Sequence, residues 1–78
     1  MGDFVIRIPR VSVAVSEAEL VELLVENGRH VEKGTPIYVI ATEKAETEVE
    51  AGASGTVVWT ADVGATYNIG VEIGVIKS

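Results

Sequence analysis

The chain has 78 residues, no cysteine and a formal charge of −6. A sequence of this length forms one domain, residues 1–78, and without cysteine it has neither disulfides nor thiolate metal ligands. The negative charge disfavours nucleic acid and anionic membranes as partners, because their phosphates would repel it. No apolar run approaches the roughly 20 residues of a spanning helix, so we expect a soluble domain without a targeting segment.

The first predicted element is a strand at residues 3–8. Pro9 follows it, and proline cannot donate a backbone hydrogen bond to a neighbouring strand. In residues 10–16, three valines then alternate with small residues. This pattern fits a second short strand and an exposed loop equally well.

Residues 17–26 have the apolar spacing of an amphipathic helix. The matching segment of an internal repeat, residues 55–61, is instead β-branched and aromatic, which favours a strand. We therefore predict a strand at 17–26. Turns are predicted at Asn27-Gly28 and at Gly34-Thr35-Pro36.

The internal repeat has an offset of 36 residues. It aligns Gly28 with Gly64, Gly34 with Gly70, Ile37 with Ile73, Val39 with Val75, Ile40 with Ile76 and Val21 with Val57. Two similar sets of strands can bury their apolar faces by packing together around a pseudo-twofold axis. The predicted fold is therefore all-β, a flattened barrel or sandwich of two short antiparallel sheets, with the chain ends close together.

Residues 37–50 are predicted to form a β-hairpin. The first half is β-branched and aromatic, and the second half alternates Glu46, Glu48 and Glu50 with Thr47 and Val49, which is typical of a strand with one exposed face. A turn centred on Glu43 and Lys44 would pair Ile40 with Thr47, Tyr38 with Val49 and Val39 with Glu48. Because neither central residue adopts positive φ readily, we expect a type I turn.

Lys44, at the centre of this bend, would extend its amine into solvent. That geometry suits a site of covalent modification. A lone lysine in a charged run is by default a solvated surface residue with no further role. Its place between two strands, at the midpoint of the repeat, favours the modification site.

Glu43-Lys44-Ala45, the strand Glu48-Val49-Glu50 and the turn Ser54-Gly55 resemble the modified hairpin of the lipoyl/biotinyl attachment domain family. Within this family, the chain resembles the lipoyl domain of the acyltransferase component of 2-oxo acid dehydrogenase complexes. The biotinyl branch flanks its lysine with methionines, whereas the single methionine here is Met1. The chain departs from the family pattern at three places. The usual Gly-Asp turn is Gly28-Arg29, the acidic residue before the lysine is Glu43 where Asp is commoner, and Gly52 stands where a proline is expected before the Ser-Gly turn.

The resemblance implies a carrier domain that is not an enzyme by itself. Lipoic acid would be joined to Lys44 as an amide by a lipoate ligase or an octanoyl or lipoyl transferase. The arm would be reductively acylated by a thiamin-diphosphate-dependent 2-oxo acid decarboxylase, would pass the acyl group to coenzyme A, and would be reoxidised by dihydrolipoamide dehydrogenase. The modifying enzyme and these partners would recognise Thr42, Glu43, Ala45, Glu46 and Glu48.

Such a domain is expected to be monomeric and to lie in the cytoplasm, or in the mitochondrial matrix of a eukaryote. Two alternatives stay open. One is a biotin carboxyl carrier domain, and the other is an unmodified lipoyl-like module that binds proteins.

Three other features have structural interpretations. Trp59 is predicted to pack in the core. His30 has no Cys, Asp or second His at ligand spacing, which argues against a metal site. Residues 52–55 are predicted to form a turn, because the helix start that a phosphate-binding loop requires does not follow them.

Overall fold

The computed structural model describes residues 2–10, 16–43 and 45–78, and in these residues the fold is all-β without a helix. No described segment could therefore cross a membrane as a helix. The strands are β1 (Asp3–Arg7), β2 (Glu17–Leu23), β3 (His30–Val31), β4 (Pro36–Ala41), β5 (Glu46–Glu50), β6 (Gly55–Trp59), β7 (Thr66–Asn68) and β8 (Glu72–Lys77).

The strands form two antiparallel sheets, with the orders β1-β8-β6-β3 and β5-β4-β2-β7. Apolar side chains fill the space between the sheets, and the domain measures 35 × 20 × 19 Å. The largest fully buried side chains are Tyr38, Ile8, Leu20, Ile37, Ile40, Ile73, Ile76 and Val57. These observations confirm the predicted flattened sandwich.

The strand predicted at residues 17–26, despite their helix-like apolar spacing, is confirmed as β2. Ala18 and Leu20 are buried while Glu17 and Glu19 are exposed, which is a period of two residues. A register shift between Leu20 and Glu22 then interrupts the alternation and leaves Glu22 exposed. The strand ends at Leu23, three residues before the predicted end. Its leucines and glutamates suit a helix as well as a strand, and tertiary packing decides between the two.

The predicted repeat is confirmed in the backbone conformation. Gly28 and Gly64 have φ values of 89° and 92°, and Gly34 and Gly70 have values of 93° and 91°. A left-handed conformation of this kind is the one that a type II turn requires at its third position. The backbone N–H of Arg29 donates to the carbonyl of Glu26 at 3.1 Å and closes the predicted Asn27-Gly28 turn.

The symmetry extends to β1 and β5, although their sequences do not match. The 36-residue offset relates β4 to β8, and β5 pairs with β4 as β1 pairs with β8. Both ladders even shift register at the same point: Glu50 lies opposite Pro36, and Arg7 lies opposite Glu72. β1 and β5 are therefore structural equivalents.

The two chain ends lie together, as the symmetry predicts. The Ser78 hydroxyl donates to the carbonyl of Gly2 at 2.8 Å, and Asp3 pairs with Lys77. In the other half, the Thr42 hydroxyl donates to the carbonyl of Ala45 at 3.4 Å. The chain ends thus occupy the position that corresponds to the β4–β5 bend.

Trp59 packs against the core, which confirms its predicted structural role. Its indole N–H donates to the carbonyl of Val25 at 3.0 Å, and its backbone N–H donates to the side-chain oxygen of Asn27 at 2.9 Å. The single tryptophan therefore has both its apolar ring and its polar groups satisfied within the fold.

Candidate functional site

The β4–β5 hairpin has the predicted register. Ile40 pairs with Thr47, Val39 with Glu48 and Tyr38 with Val49, and Ala41 pairs with Glu46 next to the bend. This pairing leaves residues 42–45 to reverse the chain. The position of the bend is thus fixed by strand pairing on both sides of it.

Within the bend, the structure describes Thr42, Glu43 and Ala45, whereas Lys44 lies outside the described residues. The backbone N–H of Thr42 donates to the carbonyl of Ala45 at 2.9 Å, so the reversal is tight. Among the described residues, none except glycine has positive φ, so the φ of Glu43 is negative. Type I′ and type II′ turns both require positive φ at their first central residue, and a turn of either type with Glu43 at that position is therefore excluded. The type I turn stays a prediction, because it also depends on Lys44.

β4 supplies a rigid base for the bend. Ile37, Tyr38, Val39 and Ile40 are all buried, and β4 lies between β5 and β2 in its sheet. A fully packed central strand resists local opening more than an exposed strand does. The residues of the bend are therefore held at a defined place relative to the rest of the domain.

The surroundings of the bend are acidic. Glu43, Glu46 and Glu48 are exposed, and in the described part of the chain none of them has an ion pair. Glu46 and Glu48 project from the same face of β5 because side chains alternate along a strand. The hairpin consequently presents negative charge, on both sides of the Lys44 position, that no described residue pairs with.

The predicted recognition residues fall into two groups. Thr42, Glu43, Ala45 and Glu46 lie together at the bend, whereas Glu48 lies two residues further along β5. Thr42 is half-buried, and the other four are exposed. Recognition of these residues by enzymes or partners stays a prediction.

Gly52 has a structural reason for departing from the family pattern. A Cβ atom on Gly52 would overlap the ring of Phe4, with the Cζ atom of that ring nearest. A proline at this position would meet the same ring. The sequence alone gives no sign of this contact, because Phe4 and Gly52 come together only through the packing of the two sheets.

Two other predictions concern residues away from the hairpin. His30 is exposed, with Nε2 lying 2.8 Å from a carboxylate oxygen of Glu32. In the described residues, no group of three or more His, Asp or Glu side chains could hold a metal ion. Residues 11–15 lie outside the described residues, so the choice between strand and loop there is untested.

Two four-stranded sheets with pseudo-twofold symmetry define a small barrel-sandwich domain. In this domain the β4–β5 bend directly follows the buried strand β4. A family model described as "Biotin-requiring enzyme" matches residues 5–76. The chain belongs to this family of biotin/lipoyl attachment domains, which are non-catalytic carriers of a covalently bound lipoyl or biotin group. No curated protein sequence matches the chain.

Proposed function

We propose that this domain is a lipoyl carrier and that Lys44 is its attachment residue. The observation that carries the proposal is the hairpin register, which confines the chain reversal to the residues between Ala41 and Glu46. Lys44 is the one lysine of this segment. A primary amine at a tight bend is the group that an amide-forming enzyme needs.

The residues around Lys44 suit the attachment of a large acyl group. Glu43 and Ala45 are exposed, so a modifying enzyme has access to both neighbours in the chain. Amide formation removes the positive charge of a lysine. The buried strand β4 would keep the attachment point fixed while a flexible arm moves.

Lipoic acid is favoured over biotin by the neighbours of Lys44. The resemblance of the hairpin to the lipoyl branch rests on Glu43-Lys44-Ala45, whereas the biotinyl branch has methionines beside its lysine. The single methionine of this chain is Met1. We infer that a biotin ligase would recognise this hairpin poorly.

The bound lipoyl group would supply a dithiolane that accepts an acyl group together with two electrons. The domain would hold this group at high local concentration near successive active sites, because a tether converts each encounter into an intramolecular one. Glu43, Glu46 and Glu48 would attract basic active-site entrances.

The proposed partners follow from this role. They are a lipoate ligase or an octanoyl or lipoyl transferase, a thiamin-diphosphate-dependent 2-oxo acid decarboxylase, and dihydrolipoamide dehydrogenase. The proposed location is the cytoplasm, or the mitochondrial matrix in a eukaryote.

The intact mass of the domain, after expression with a functional lipoylation pathway and a biotin ligase, tests the proposal. We expect the mass added by one lipoyl group, its loss in Lys44→Ala and its retention in Lys33→Ala, which changes an exposed lysine elsewhere. Addition of biotin would instead establish a biotin carrier. An unmodified mass would favour a protein-binding module.

A further inference from the structure

An apolar groove of about 310 Å³ opens between the edge strands β1 and β5. Its apolar lining includes Phe4, Ile6, Tyr38 and Val49. Phe4 is 43% exposed, which makes it one of the most exposed large apolar side chains among the described residues. The groove therefore offers apolar surface that the described residues do not cover.

The groove lies away from the Lys44 bend. It adjoins the last residues of β5, Val49 and Glu50, whereas the bend adjoins the first, Glu46. At a rise of about 3.4 Å per residue, Val49 is about 14 Å along the strand from Ala45. A molecule in the groove would leave the bend accessible.

The strand that borders the groove has a free edge. β5 pairs with β4 on one side, and no described strand pairs with its other side. An extended segment of another protein could add to this edge through backbone hydrogen bonds. Alternate side chains of that segment would then lie beside Thr47 and Val49, towards the groove, and the others beside the glutamates of β5.

The charges at the groove select a basic occupant. Glu46, Glu48 and Glu50 are exposed on the outer face of β5 and have no ion pair among the described residues. Arg7 is the one cationic side chain among the described residues that line the groove, and it donates to the carbonyl of Gly70 at 3.1 Å. A second copy of the domain would place glutamates opposite glutamates, which is unfavourable.

We propose that the β1–β5 groove and the free edge of β5 bind an extended segment of a partner protein in which basic and apolar residues alternate. This surface shares Glu46 and Glu48 with the predicted recognition residues of the bend, but it does not include Lys44 and does not require modification of that lysine. The apolar residues would fill the groove, and the basic residues would pair with the glutamates.

The test is a titration of the isotope-labelled domain with the peptide acetyl-Lys-Leu-Lys-Phe-Lys-amide, followed by amide NMR spectra. We expect saturable shifts at Phe4, Val49 and Glu50 and none at Val63 or Gly64. The peptide acetyl-Glu-Leu-Glu-Phe-Glu-amide is the matched control and should cause no shifts. Shifts spread evenly over all acidic residues, or equal binding of the two peptides, would overturn the proposal.

Two variants with the same change of charge separate specific docking from general attraction. Glu50→Lys, at the groove, reverses the charge and should weaken binding of the basic peptide about fivefold, the upper end of the effect of one exposed charge pair. Glu26→Lys, at an exposed turn, should change it less than about twofold. Equal weakening by both variants would show that the overall charge alone attracts the peptide, and would refute the proposal that the peptide binds at the groove.

The outcome is independent of the carrier function. Lys44→Ala should bind the basic peptide as the native domain does, whether or not lipoate is attached to the native protein. Loss of binding in Lys44→Ala would contradict a surface that does not depend on Lys44.

Discussion

Trp59 lies opposite Gly74 in the β6–β8 ladder, whereas the equivalent positions of the other half place Leu23 opposite Tyr38. At these equivalent pairs of positions, each half has one aromatic residue, Tyr38 in one half and Trp59 in the other. Tyr38 lies on β4, whose equivalent is β8, whereas Trp59 lies on β6, whose equivalent is β2. The two rings meet in a T-shaped contact, with centroids 5.7 Å apart and an interplanar angle of 79°. This exchange lets a symmetric backbone enclose an asymmetric, well-packed core.

The contact predicts that Gly74→Ala destabilises the domain. A Cβ atom at this position would lie 2.8 Å from the carbonyl oxygen of Val58 and 3.0 Å from Cε3 of Trp59. Overpacking of this kind lowers the free energy of unfolding by about 1–3 kcal/mol. Urea denaturation measures the change, and Gly2→Ala, where no heavy atom lies within 4 Å, is the matched control. Equal stability of the two variants would contradict the prediction.

Tyr38 predicts a loss of stability at alkaline pH. Burial raises the pKa of Tyr38 from 10.0 to about 12, and its hydroxyl donates to the carbonyl of Arg7 at 3.2 Å. Because the folded state holds the phenolic proton more tightly than the unfolded state, the stabilisation is complete below about pH 10 and is lost as the pH rises towards about 12.

The measurement is urea denaturation at a series of pH values up to about 12. Tyr38→Phe should cost about 1 kcal/mol at neutral pH, for the lost hydrogen bond. Because phenylalanine does not ionise, the stability of Tyr38→Phe should fall less steeply at alkaline pH than the stability of the native domain. Parallel curves for the native domain and the variant would show that Tyr38 does not cause the pH dependence.

Gly34 and Gly70 predict equal effects in the two halves of the molecule. Both have positive φ, and no atom lies within 4 Å of a Cβ added to either. Replacement by alanine should therefore cost about 1–2 kcal/mol in each case, from backbone strain alone. Thermal or urea unfolding of the two single variants tests the symmetry. A cost at one position and none at the other would show that the turns are not equivalent.

The acidic bend predicts that partner reactions of the lipoylated domain depend on salt. The charges of Glu43, Glu46 and Glu48 should raise the encounter rate with a basic active-site entrance, and salt should screen them. Neutralising all three with glutamine should lower the rate of reductive acylation about tenfold at low ionic strength.

The matched control for this experiment is the triple variant with glutamine at Glu26, Glu32 and Glu72, which are exposed and lie away from the bend. Its rate and salt dependence should stay close to those of the native domain. A native rate that does not change with ionic strength would remove the argument for electrostatic attraction.

The hairpin and the repeat could be predicted because they leave local patterns. Alternation of glutamate with Thr47 and Val49 predicts the register correctly, but the prediction of one exposed face holds only in part, because Val49 is half-buried while Thr47 is exposed. The glycine pairs mark equivalent turns. The repeat also led to the correct prediction of a strand at residues 17–26, where the local apolar spacing alone indicates a helix.

The equivalence of β1 and β5 could not be predicted from the sequence. Phe4 and Thr47 occupy matching positions but have different neighbours, since the Phe4 ring lies against Gly52. Long-range packing has selected different side chains for the same backbone position. For the same reason, the groove between the two edge strands left no pattern in the sequence.

The hydrogen bond between Ser78 and Gly2 brings residues 2 and 78 of the domain together. A short linker joining these two residues would connect β8 to β1 as a second hairpin. The resulting circular chain could then be opened between residues 43 and 44 without interrupting any described strand. The order in which the strands follow one another along the chain is thus not what defines this architecture. We therefore expect a circularly permuted polypeptide to form the same network of strand pairs.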